Sequence, residues 1–146
     1  MLRRLIAPLL AILIFAPLRA EEAITYISPD NYDDTLFSVE NAILDAGLVI
    51  DLTSHTGDML ERTRPATGSD IVLFEHAEIF SFCSARLSRK MMEADIMNIV
   101  YCPYRIFVMQ EAGSEQVVVG FRTMPEGPMK EIEALLDGIV RNALGL

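Results

Sequence analysis

The sequence predicts an α+β sandwich, a mostly antiparallel sheet with helices packed on one face. Three features of its 146 residues lead there. Apolar residues alternate in several short runs, as they do in half-buried strands. Other, longer segments carry apolar residues at helical spacing. Strand-like runs also follow one another directly, without the strict strand–helix alternation of a parallel sheet. No repeat, low-complexity tract or linker divides the chain, so a single domain is expected over 21–146.

The elements follow in order. AITYIS (23–28) reads as a short strand closed by Pro29-Asp30-Asn31. DDTLFSVENAILDAG is a helix with Leu36, Val39, Ala42 and Ile43 on one stripe, Asp33 and Asp34 at its start and Gly47 at its end. LVIDLT (48–53) is a strand with Leu48, Ile50 and Leu52 on one face. Thr56 caps a single turn through GDMLERT, which Arg64-Pro65 ends. A loop runs from Thr63 to Ser69.

IVLFEHAEIFSFC (71–83) is a long β-rich run in which Val72, Phe74, Phe80 and Phe82 share a parity. Polar His76 and Glu78 interrupt it, which predicts a bulge or a solvent-open end. SARLSRKMMEAD is a helix capped by Ser84, with Leu87, Met91 and Ala94 inward. NIVYCPYRIFVMQE (98–111) is a strand with Val100, Cys102, Tyr104, Ile106 and Val108 inward. Gly113-Ser114 turns it into QVVVGFRTM, where Val117, Val119 and Phe121 face in, so 98–124 is a hairpin. PMKEIEALLDGIVRNAL closes the chain as an amphipathic helix with Pro128 at its start and Ile132, Leu135, Leu136, Ile139 and Val140 inward.

The first 20 residues read differently. MLRRLIAPLLAILIFAPLRA has a basic start, a short apolar middle and a small residue before Glu21-Glu22. That is the layout of a signal peptide cut near Ala20, and the apolar middle is short for a membrane span of about 20 residues. The mature chain is therefore expected to be exported, periplasmic or extracellular. Loss of Arg3, Arg4 and Arg19 takes the net charge from −9 to −12. Such acidity disfavours nucleic acid and anionic lipid. It suits a protein without stable membrane insertion, free to meet a small molecule or a protein partner.

Several of these stretches resemble a known family. DDTLFSVENAILDAGLVIDL, EIFSFCSARLSRKMMEAD and VYCPYRIFVM followed by VVVGFRTM together are similar to the domain of unknown function 302. The resemblance covers nearly all of the mature chain. It implies a β-α-β4-α fold, with the helix after Cys83 inserted between strands. A cysteine heading that helix and a Cys-Pro opening a strand both match the family's pattern. The resemblance implies no activity.

The chemistry that the sequence offers centres on two cysteines, Cys83 and Cys102. Cys102-Pro103-Tyr104 looks like the start of a glutaredoxin site, but Arg105 stands where the second thiol belongs. That mechanism also needs a helix after the cysteine to lower its pKa, and strand alternation follows instead. Cys83 directly precedes a helix, with Arg86 and Arg89 near in sequence, so it is expected to be the more reactive thiolate. A strand–helix–strand crossover would bring Cys83 and Cys102 to one side of the sheet. A disulfide between them is possible in an oxidising compartment and would close a loop of roughly 20 residues, worth about 2–4 kcal/mol.

Soft-metal capture is the weakest of the readings. Met59, Met91, Met92, Met97 and Met109 accompany the thiols, yet no ligand-pair spacing appears, and His55 and His76 stand alone. Glu75 and Glu78 flank His76 on a strand that sends them to different faces. Hydrolase and phosphate-loop motifs are missing, and no metal or cofactor is implied. The leading expectation is an accessory domain without turnover that binds a ligand or partner near Cys83, Cys102 and Tyr104. The alternative is a thiol-redox or sulfur-handling protein in which Cys83 attacks and Cys102 resolves.

Overall fold

The computed structural model describes residues 23–146. The expected signal segment, 1–20, lies outside the described residues. The order is β1 (Ala23–Ile27), α1 (Tyr32–Asp45), β2 (Val49–Ser54), α2 (Thr56–Thr67), β3 (Phe74–Cys83), α3 (Ala85–Ala94), a 3-10 turn (Ile96–Tyr101), β4 (Tyr104–Glu111), β5 (Val117–Arg122) and α4 (Lys130–Leu144). The strands form one sheet, β1-β5-β4-β3-β2, and every neighbouring pair is antiparallel. The α+β class holds. Among the described residues no helix is long and apolar enough to cross a membrane.

The core lies between one sheet face and the helices. Phe80, Phe82, Ile106, Val108, Val119 and Phe121 meet Val39 and Ile43 of α1 and Ile132 and Leu136 of α4, all essentially inaccessible. Each such side chain stabilises the fold by about 1.5–3 kcal/mol. Leu87 and Met91 of α3 join the same cluster. Asn31 caps α1 by accepting the Asp34 N–H at 3.0 Å, and Gly47, at φ +75°, leaves the helix in the left-handed region.

Four details depart from the sequence reading. β2 bulges at Asp51, because Ile50 pairs with Phe82 and Leu52 pairs with Ser81. One extra residue flips parity, so Leu48 and Ile50 touch the core while Leu52 is 61% exposed. β3 starts at Phe74, three residues later than expected, and bulges at Glu75. Phe74 therefore shares the uncovered face with Ile79 rather than the core face with Phe80, while Val72 lies outside the strand.

The third departure is α2. It runs three turns, not one, passes through Pro65 and stops at Gly68, φ +72°. Its N-cap is His55, not Thr56, and it buries no side chain. β2 pairs with Ile79–Cys83 of β3 and then stops. Beyond it α2 abuts β3, and a Cβ on Gly57 would fall 2.8 Å from the Ala77 nitrogen.

The fourth concerns the approach to Cys102. Residues 96–101 are a 3-10 turn rather than strand, started by the Asp95 carboxylate, which accepts the Met97 N–H at 2.9 Å. Val100 is 58% exposed, and Ala94 on α3 is exposed too. Pro103, joined to Cys102 by a cis peptide bond, has no N–H for the ladder, and β4 begins after it. From Tyr104 onward the expected alternation holds, with Tyr104, Ile106 and Val108 buried.

Candidate dithiol site

β3 and β4 are adjacent antiparallel strands, with Phe82 opposite Tyr104. The chain leaves β3 at the same end of the sheet where it enters β4. The connection through α3 is thus an excursion that returns to its starting edge, not a crossover. Cys83 is the last residue of β3, and Cys102 lies two residues before β4. Their sulfurs lie 2.7 Å apart as two free thiols, both half-buried. A disulfide bond is about 2.05 Å long, so a small rotation of either side chain closes the gap.

The structure corrects the expected electrostatics of Cys83. Its thiol is pushed up to about 11, first by burial, then by the hydrogen bond and charge of Cys102. Asp51, the residue extruded by the β2 bulge, adds to the rise, and the Tyr104 backbone N–H acts the other way. Ser84 stands between Cys83 and helix α3 as N-cap and accepts the Leu87 N–H at 3.4 Å. Of the arginines near it in sequence, Arg89 pairs with Glu93 at 2.8 Å. Burial and the neighbouring Cys102 thus raise the Cys83 thiol, the opposite direction to the lowering that its position before a helix suggests.

Tyr104 is buried beneath the thiols. Its hydroxyl accepts a hydrogen bond from Ser88 Oγ at 3.1 Å, and Ser88 Oγ lies 3.8 Å from Cys102 Sγ. Burial raises the phenol pKa, the Ser88 hydrogen bond lowers it, and both cysteines raise it further. The sequence reading missed Ser88. It lies one turn after the Ser84 cap and next to inward Leu87, so helical spacing alone puts it on the core side.

Cys102 also lines a cavity of about 280 Å³ at this end of the sheet, whose wall does not include Cys83. Ile79 and Phe107 form its apolar floor, and Tyr101, Arg105 and Arg122 stand around it. The Arg122 guanidinium sits over the Tyr101 ring, 5.1 Å from its centroid. Arg105, on the face opposite Tyr104, is exposed at the cavity rather than in place of a lost thiol.

The remaining candidates fall elsewhere. His55 Nδ1 meets Glu78 at 3.2 Å, and His76 stacks on Tyr32 with ring centroids 4.6 Å apart. Six residues of β3 separate His76 from Cys83, which puts His76 roughly 20 Å from the thiols. Met91 fills the core, while Met59 and Met97 are largely exposed. Among the described residues no group of three or more His, Cys, Asp or Glu side chains is arranged to hold a metal ion.

Comparison with known proteins agrees with this architecture. A crystal structure of an uncharacterized conserved protein DUF302 from Bacillus stearothermophilus superposes with a TM-score of 0.61 at 14% identity. The match covers 84% of this chain and 95% of that one, and at such identity it speaks for the fold alone. No curated protein matches the chain. The family model "Domain of unknown function DUF302" matches residues 24–137, which include both cysteines, Ser88 and Tyr104, and the chain belongs to that family.

Proposed function

We propose that this protein is an exported two-electron thiol–disulfide couple built on Cys83 and Cys102. The observation that carries the reading is the 2.7 Å contact of two free sulfurs from opposite ends of a 19-residue separation. The roles are the reverse of those the sequence suggests. Cys102 lines the cavity and meets the partner; Cys83, shielded and held as thiol, resolves.

The exchange balances as follows. The Cys102 thiolate attacks one sulfur of a partner disulfide, forming a mixed disulfide and releasing one partner thiolate. The Cys83 sulfur, having given up its proton, attacks Cys102 Sγ, forms the Cys83–Cys102 bond and releases the second partner thiolate. The protein loses two electrons and two protons; the partner disulfide becomes two thiols. A raised Cys83 pKa makes its thiolate a strong nucleophile and a poor leaving group, which favours the oxidised protein. The couple is therefore a reductant towards glutathione-type disulfides.

The experiment is a thiol count and intact mass of the mature protein, first reduced, then mixed with oxidised glutathione at pH 8. The expected result is loss of both protein thiols and release of two glutathione thiols. Cys83→Ser stops the reaction at a mixed disulfide on Cys102, while Cys102→Ser reacts far more slowly. Two thiols that stay reduced under these conditions overturn the proposal.

A further inference from the structure

Ser88 touches both Cys102 and the buried phenol. Its Oγ lies 3.1 Å from the Tyr104 hydroxyl and 3.8 Å from Cys102 Sγ, the longer contact being within the reach of a sulfur acceptor. A serine inside a helix often turns its hydroxyl back to the carbonyl one turn earlier. In α3 the Ser84 carbonyl accepts the Ser88 backbone N–H at 2.7 Å, and the Ser88 hydroxyl reaches across to β4. Leu87 and Met91, buried in the core, hold this face of α3 against the sheet. Ser88 is 9% exposed and Tyr104 2%, so bulk water does not readily replace either partner. A serine hydroxyl has one proton and two lone pairs, and a phenol both donates and accepts. Ser88 therefore donates to one of its two neighbours at a time. With Cys102 as a thiol, its proton lies on the Tyr104 oxygen.

We propose that Ser88 is a positioning residue for Cys102: its hydroxyl turns from Tyr104 to the Cys102 sulfur when that thiol ionises, and Tyr104 then donates to Ser88 Oγ. The inference rests on the dithiol reading and adds the groups that stabilise its attacking sulfur. The Cys102 proton leaves to water. The Ser88 and Tyr104 hydroxyls only rotate, so each keeps its own proton and no covalent bond changes between them. A hydrogen bond to a charged acceptor is roughly twice as strong as one between neutral groups, which draws the Ser88 proton to the thiolate. Bonding to the charged form favours that form. Two hydroxyls in series spread the charge inward without burying a second ion. The effect falls on Cys102, the sulfur that lines the cavity.

The test uses the mature protein carrying Cys83→Ala, which leaves Cys102 as its only thiol. Alkylation by iodoacetamide, which reads the thiolate, is followed against pH in this protein and with Ser88→Ala, Ser88→Thr or Tyr104→Phe added. Ser88→Ala is expected to displace the profile to higher pH by about one unit. Tyr104→Phe displaces it the same way by less, because Ser88 still donates but nothing donates to Ser88. Ser88→Thr keeps the hydroxyl and is expected to restore most of the Ser88→Ala displacement. A profile unmoved by Ser88→Ala or by Tyr104→Phe overturns the assignment. So does a Ser88→Thr profile displaced as far as that of Ser88→Ala, since a serine that only packs the helix changes stability and not ionisation. If Ser88→Ala fails to fold, Tyr104→Phe decides alone. No exchange with a disulfide enters this measurement. If oxidised glutathione leaves the native pair reduced, the couple fails, and the alkylation profiles still judge Ser88.

Discussion

Cys83 Sγ and Cys102 Sγ touch at 2.7 Å because Phe82 and Tyr104 are paired across β3 and β4. The ladder fixes the two backbones one residue before Cys83 and two residues after Cys102. Oxidation therefore needs little movement of the fold. The bridged protein is expected to gain about 2–4 kcal/mol over the reduced one, as for a loop of this length. Urea denaturation with and without reductant measures the difference; equal midpoints would show that the bridge does not form or is strained.

The raised Cys83 pKa has a consequence for stability. The folded reduced protein prefers the protonated thiol more than the unfolded chain does. The stability tied to that proton is complete below the unfolded value near 8.5 and is lost as pH climbs through about 11. Reduced protein is expected to lose up to about 2 kcal/mol between pH 8.5 and 11. Cys83→Ser flattens this loss. Iodoacetamide labelling of Cys83 in the Cys102→Ser variant, measured against pH, checks the titration: removing Cys102 removes two of the causes of the rise, so labelling sets in at lower pH than in the native pair.

Much of this was legible in the chain. Alternation at Tyr104, Ile106 and Val108 and the helical stripe at Val39, Ala42 and Ile43 place the core, because period alone decides which side is buried. Bulges defeat that logic. Asp51 and Glu75 each insert one residue, so Leu52 and Phe74 turn outward although their spacing says inward. Residues 96–101 are rich in β-formers but lie outside the sheet, since Asp95 starts a turn and Pro103 interrupts the ladder. At the site, the sequence names both thiols and Tyr104 but not their roles. Whether a cysteine before a helix feels its dipole depends on where the side chain points, and Cys83 points at Cys102. The cavity, with Arg105 and Arg122 brought from different strands, has no local signature at all.

Ser88 and Tyr104 form the buried polar pair beneath the thiols, joined by the 3.1 Å hydrogen bond. Ser88→Ala leaves the phenol hydroxyl without this donor and is expected to cost about 1–2 kcal/mol. The Tyr104 pKa then rises further, since the Ser88 contact is what lowers it. Tyr104→Phe removes the other half. The double variant is expected to cost less than the sum of the singles, by about 0.5–1.5 kcal/mol. Additive costs in chemical denaturation would place the hydrogen bond outside the folded state's energetics.

Gly120 fixes how closely β1 and Phe107 approach β5. A Cβ there would lie 2.6 Å from Phe107 Cζ and 2.7 Å from the Ile24 carbonyl oxygen. The first obstacle is a side chain that can swing away; the second is the backbone of a hydrogen-bonded neighbour, since Ile24 pairs with Phe121. Gly120→Ala is therefore expected to destabilise by about 1–3 kcal/mol, as overpacking does. Adding Phe107→Ala relieves only the ring contact, so the double variant still shows β1 loosened from β5. Hydrogen exchange at the amides of β1 reads this directly: they lose protection in Gly120→Ala and do not regain it with Phe107→Ala. Full recovery in the double variant would mean that the ring, and not the strand, sets the requirement for glycine.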